Sequence, residues 1–135
     1  MTRALRIGAG AGFSADRWEP AVELIRAVPL DAIVFECLAE RTIALGALDR
    51  LSTPDGGFDP FLEERFAAVL PEALGRGVRI VTNMGAANAA GAARATRALA
   101  ARLGRAAAKI AFVLGDVVLA PARAGNIPLD PRGTV

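Results

Sequence analysis

Four consecutive residues, Ala32-Ile33-Val34-Phe35, are apolar without alternation, and this run constrains the fold more than any other feature of the chain. A strand with one face in water alternates apolar and polar residues. A strand that is apolar throughout suits a parallel sheet covered on both faces. Parallel neighbours need long crossover connections, usually helical. The surrounding sequence supplies both kinds of element. Ala4–Gly8, Ala32–Phe35, Val78–Val81 and Ala108–Leu114 read as strands. Between them lie segments with apolar residues at helical spacing: from Asp16 to about Ala27, from about Leu38 to Leu51, from about Pro60 to Leu74, and Ala89–Leu103.

The first of these helices has a capping-box form, Asp16 followed by Glu19, with Pro20 in the first turn. The third ends at Gly75-Arg76-Gly77 in the usual C′ manner. Ser52–Phe58 has turn chemistry throughout and is expected to be the most mobile internal stretch. The order β-α-β-α-α-β-α-β predicts an α/β fold over residues 1–116. Its sheet is expected to be open, parallel, Rossmann-like and doubly wound, with about four strands and flanking helices. Residues 117–135 read differently, with Pro121, Pro128 and Pro131 among polar residues. They are expected to form a proline-rich tail or the start of a truncated continuation.

Composition narrows the function classes. With 135 residues and 53% hydrophobic residues, the chain can bury one real core. Net charge is +2, and the arginines are spread singly, which argues against a nucleic-acid footprint. There is no histidine and one cysteine. Intramolecular disulfides, Ser-His or Cys-His pairs and His-based metal sites are therefore excluded. Cys37 sits among Val34, Phe35 and Leu38 and reads as a packed apolar thiol. No stretch approaches the roughly 18 uncharged apolar residues of a membrane span, and no signal-peptide core precedes the first strand, so a cytoplasmic location is expected.

In an open parallel sheet, ligands bind at the carboxyl ends of the strands, where backbone N–H groups and helix N-termini are unpaired. After the first strand come Gly8, Gly10 and Gly12, then Asp16 and Arg17. These glycines let the backbone approach a ligand closely. The dinucleotide fingerprint would need glycine at position 13, where Phe13 stands. After the second strand come Glu36, Glu40 and Thr42. The two carboxylates are candidate acid/base groups, Glu40 having the alternative role of satisfying a helix N-terminus. After the third strand come Thr82, Asn83, Gly85 and Asn88. Asn88 is placed to cap the next helix, while Asn83 has no local duty and is the better ligand candidate. After the fourth come Gly115 and Asp116. Glu36, Glu40 and Asp116 have oxygen ligands suited to Mg²⁺, but their spacing matches no metal motif. The sequence specifies no cofactor.

Three stretches in order, "IGAGAGFSADR", "DAIVFECLAERTIA" and "RIVTNMGAANAAGAA", resemble the N-terminal domain of the acyclic terpene utilisation (AtuA) family. The resemblance covers roughly residues 6 to 116. On it, the family's motif positions are Gly8, Gly10, Gly12, Asp16 and Arg17, then Leu38, Ala39, Glu40 and Thr42, then Thr82, Asn83, Gly85 and Asn88, then Gly115 and Asp116. The chain departs from the family in having Asn88-Ala89-Ala90-Gly91 where Asn-Pro-x-Gly is frequent, and Val117 where a second acid is frequent. Family domains are also several times longer. The resemblance implies a place in the catabolism of citronellol- and geraniol-type terpenes and related branched acids, alongside acyl-CoA enzymes. The expected activity is that of an enzyme domain, or a piece of one, binding an anionic acyl or terpenoid substrate at the sheet's carboxyl edge. A non-catalytic ligand-binding or partner subunit of an acyl-CoA enzyme complex is the alternative, and a nucleotide-dependent oxidoreductase a lesser one. Free sheet edges make self-association into a homo-oligomer an expectation too.

Overall fold

The computed structural model describes residues 3–125. Three strands, β1 (Ile7–Ala11), β2 (Ala32–Phe35) and β3 (Arg79–Thr82), form a parallel sheet in the order β1-β2-β3. The helices are α1 (Glu19–Ala27), α2 (Glu40–Ser52), α3 (Leu62–Gly75), α4 (Ala89–Arg102) and a short α5 (Leu119–Arg123). Residues 126–135, with Pro128 and Pro131 of the expected tail, lie outside the described residues.

Both crossovers step the same way across the sheet, so right-handed connections bring α1 and α3 to one face. Burial agrees. Ile33 and Phe35 are fully buried on that face, whereas Ile7 and Val81 on the other are 62% and 54% exposed. Helix α3 lies between α1 and α4. The core fills the space between these helices and the sheet: Ala21 and Ile25 from α1, Phe66, Val69 and Ala73 from α3, Leu99 and Ala100 from α4, and Ile33 and Phe35 from the sheet. The rings of Phe35 and Phe66 meet edge-on at 6.3 Å.

The expected doubly wound sheet, covered on both faces, is not seen among the described residues, because α1, α3 and α4 pack over the Ile33 and Phe35 face while Ile7 and Val81 on the other face are exposed. Three further expectations need correction. The first strand begins later than predicted, at Ile7, pairing Ile7 with Ala32 and Gly8 with Ile33. Glycines that read as a turn thus lie inside a strand, because neighbours fill the space that side chains would take. A Cβ on Gly8 would meet Leu24 and Leu30 at 2.8 and 2.9 Å, and one on Gly10 would meet the Phe35 ring at 2.6 Å. The capping box of α1 does not form. The helix starts at Glu19, and the Asp16 carboxylate instead accepts the Gly12 N–H at 2.8 Å.

The third correction concerns the fourth strand, because Ala108–Leu114 joins no sheet. The sheet has three strands, not four. Ile110 and Phe112 of that segment face Ala90 and Ala93 of α4 across a shallow groove, and Phe112, Val113 and Leu114 remain exposed. Within the stretch expected to be a tail, Leu119–Arg123 forms the short α5.

Candidate functional site

Asn83 ties the carboxyl ends of β2 and β3 together. Its Oδ1 accepts the Cys37 N–H at 2.7 Å, and its Nδ2 donates to Glu36 Oε1 at 2.8 Å. The Leu38 N–H donates to the same Glu36 oxygen at 3.0 Å. One carboxylate oxygen is thereby anchored, while Oε2 takes no protein hydrogen bond among the described residues. The Asn83 amide first, and the Leu38 N–H second, hold the exposed Glu36 carboxyl below its ordinary pKa. Glu36 is therefore an ionised, oriented carboxylate with one free oxygen. Thr82 makes a second tie between these strands. Its hydroxyl donates to the Phe35 carbonyl at 2.9 Å and accepts the Met84 N–H at 3.1 Å.

Beneath this rim lies Arg65 of α3, 2% exposed. Its Nη2 donates to the carbonyls of Ser14 and Asp16 at 2.7 and 2.8 Å. Its Nη1 faces Cys37 Sγ at 3.1 Å and Met84 Sδ at 3.5 Å. The guanidinium also lies 5.7 Å from the Phe35 ring centroid. One side chain thus touches the junctions after β1, β2 and β3. No carboxylate pairs with it among the described residues, and its Nε is buried without a partner. Burial pushes the Cys37 thiol up to about 11 despite the adjacent Arg65, so the thiol stays neutral.

Sequence reasoning missed Arg65, yet a signal was present. Residue 65 falls at helical spacing on the stripe Leu62, Phe66, Val69, Leu70, Ala73, where an arginine is out of place. The guanidinium and the β1–α1 junction also wall a cavity of about 190 Å³, with Trp18 and Phe61 on its sides.

The remaining candidates have visible local work. Thr42 Oγ1 accepts the Ala39 N–H at 2.6 Å and donates to the Ala39 carbonyl at 2.9 Å, closing the start of α2. Glu40 is exposed in the first turn of α2, where it complements the helix dipole. Asn88 caps α4, its Oδ1 accepting the Gly91 N–H at 2.9 Å. Its Nδ2 reaches back to the Gly56 carbonyl at 2.7 Å. The Ser52–Phe58 loop is thus tied to the rim, as is its Gly57 carbonyl, which accepts the Ala87 N–H at 2.9 Å.

Gly85 has no room for a side chain, since a Cβ there would meet Ala89 Cα at 2.9 Å. Next to it, Ala86 adopts φ +42°, the one non-glycine in the left-handed region among the described residues. Arg17 pairs with Glu19 at 3.5 Å on the surface. Asp116 is exposed in the segment between α4 and α5, and no hydrogen bond or ion pair joins it to the other candidates. Glu36, Thr82 and Asn83 are therefore brought together, while the Asp16 carbonyl rests on Arg65, whose other nitrogen faces the neighbouring Cys37 and Met84. Asp116 is not part of this group.

Among the described residues, no group of three or more metal-ligating side chains is close enough to hold an ion, and no helix is long and apolar enough to cross a membrane. A search of curated proteins and one of solved structures return no match. The family comparison does find one, for the acyclic terpene utilisation family protein AtuA, over residues 5–127. That span takes in all three strands, the four long helices and the rim built on Glu36, Asn83 and Arg65, and the chain belongs to the AtuA family.

Proposed function

We propose that the rim at the carboxyl ends of β2 and β3 binds an acyl or terpenoid substrate of acyclic terpene catabolism, with Glu36 as its acid/base group. The observation that carries this reading is the Glu36 carboxylate itself, fixed through one oxygen by Asn83 and Leu38 and free at the other. A free carboxylate oxygen accepts a hydrogen bond or a proton from a hydroxyl, or from the carbon next to an acyl carbonyl. Its ionised state disfavours a free acid at the same spot, because two like charges a few ångströms apart repel. A coenzyme A thioester, uncharged at its acyl carbonyl, or an alcohol fits better. Asn83 orients Glu36, and Glu40 and Thr42 follow it in sequence at the start of α2.

Calorimetric titration of the chain with citronellyl-CoA and with citronellate tests this. Saturable binding of the thioester, weaker binding of the acid, and at least tenfold loss in Glu36→Gln are expected. No binding of either ligand, or equal affinity in the variant, overturns it.

A second reading, a non-catalytic subunit of an acyl-CoA enzyme complex, draws on the uncovered sheet face around Ile7 and Val81. Stoichiometric co-elution with an acyl-CoA carboxylase, with no thioester binding by the chain alone, would favour it.

A further inference from the structure

We propose that a groove on the outer side of α4, away from the Glu36 rim, is a binding site for a small carboxylate with an apolar body. Ala90, Ala93, Arg94 and Arg97 form one wall, and Ile110 and Phe112 of the segment after α4 form the other, around about 190 Å³. Three separate features point to one ligand chemistry.

The first is charge. From Ala73 to Gly115 the sequence has no Asp or Glu, while Arg76, Arg79, Arg94, Arg97, Arg102, Arg105 and Lys109 all fall within it. Arg102 and Arg76 find carboxylates on α3. Arg94 finds Asp55, itself 91% exposed, at 2.9 Å. Arg97 has no ion pair among the described residues. The groove therefore holds a guanidinium free to make a charge-assisted, bidentate contact with a carboxylate.

The second is the opposite wall. Phe112 is 50% exposed and Ile110 half-buried, and together they offer a ring face and a branched side chain. An aryl or branched-alkyl group laid against them, over the small side chains of Ala90 and Ala93, would remove apolar surface from water. The third is size. The space is below the 300–1,000 Å³ typical of sites for drug-sized ligands, so it takes a molecule such as benzoate, or the carboxylate end of a longer one.

This site shares no residue with the Glu36 rim, and neither reading depends on the other. Ligand-observed NMR of the full chain with benzoate, benzamide and inorganic phosphate tests it. Benzoate is expected to bind with a dissociation constant of about 1 mM, the range open to so small a ligand. Benzamide lacks the charge and phosphate lacks the apolar body, so each is expected to bind at least fivefold more weakly. Arg97→Gln and Phe112→Ala, both on exposed positions that leave the core intact, should each weaken benzoate about tenfold, while Glu36→Gln should leave it unchanged. Equal binding of benzoate and benzamide, binding of phosphate as tight as benzoate, or benzoate affinity unaffected by both groove variants overturns the proposal. If benzoate binding is lost in Glu36→Gln instead, the ligand sits at the rim.

Discussion

Replacing Arg65 by methionine measures how strongly the rim depends on the buried guanidinium. Methionine fills similar space and carries no charge, so it removes the polar contacts with little cavity. Two bonds are lost, to the carbonyls of Ser14 and Asp16. Hydrogen bonds to a charged donor contribute about 1.5–3 kcal/mol each, so their gross loss is about 3–6 kcal/mol. Against this stands relief from the desolvation of the buried cation, comparable to the gain of about 1–4 kcal/mol when buried ion pairs are replaced by packed apolar residues. The Asp16 carbonyl can recover a hydrogen bond from water because the residue is exposed, whereas Ser14, at 7% exposure, cannot. The balance is a net destabilisation of about 2 kcal/mol. For a chain of this size that lowers Tm by about 8 °C. Arg65→Ala adds the cost of a cavity and should fall further, by about 2 kcal/mol more. Urea and thermal unfolding of both variants supply the numbers. If Arg65→Met is as stable as the parent or more so, the guanidinium is a net burden to the fold, and its role as the tie among three junctions is refuted.

Other outcomes follow from the same structure. Asn88→Ala removes the α4 cap and the tie to Gly56, and should cost about 2 kcal/mol in unfolding experiments, more than a cap alone. The Glu36 carboxyl titrates lower in the folded state than in the unfolded one, so its contribution is present above the unfolded pKa and is lost as pH falls through the folded value. Stability should therefore decline with acid below about pH 4.5, and Asn83→Ala should show a shallower decline there in pH-dependent urea melts. Cys37, buried and pushed up to about 11, should react with a thiol reagent at pH 8 at least tenfold more slowly in the native chain than in urea.

The parts of the fold that the sequence made legible are those where local pattern and tertiary demand agree. The apolar run Ala32–Phe35 coincides with β2, and Asn88 caps α4 as its position required. Divergence came where packing overruled local chemistry. Gly8 closes the predicted strand and Gly10 looks like a turn, but both lie inside β1, and Leu24, Leu30 and the Phe35 ring occupy the volume their side chains would need. The stretch Ala108–Leu114 has a strand's composition, yet it runs past the outer side of α4 without joining the sheet, an outcome no short-range pattern encodes.

For the candidate site, residue type found Glu36 and Asn83 because polar groups at the end of an apolar run need a reason to be there. Their mutual contact spans 47 positions and is a product of the sheet register. Arg65 escaped because a lone arginine after two glutamates looks like an ordinary surface charge.

Helix α2 contributes a single buried residue, Gly46, to the molecule, and Ile43, Leu45, Leu48 and Leu51 all face solvent. The helix approaches the rim only because residue 46 lacks a side chain, since a Cβ there would lie 3.0 Å from the Gly57 carbonyl and 3.4 Å from Ala86. An element with so little apolar anchorage should open ahead of α1, α3 and α4 in native-state hydrogen exchange, well below the free energy of global unfolding. Its amides should exchange as one cooperative block ahead of those in α3. Glu40 and Thr42 ride on that block, so the chain just beyond Glu36 should detach and re-form many times for each time the sheet beneath it comes apart.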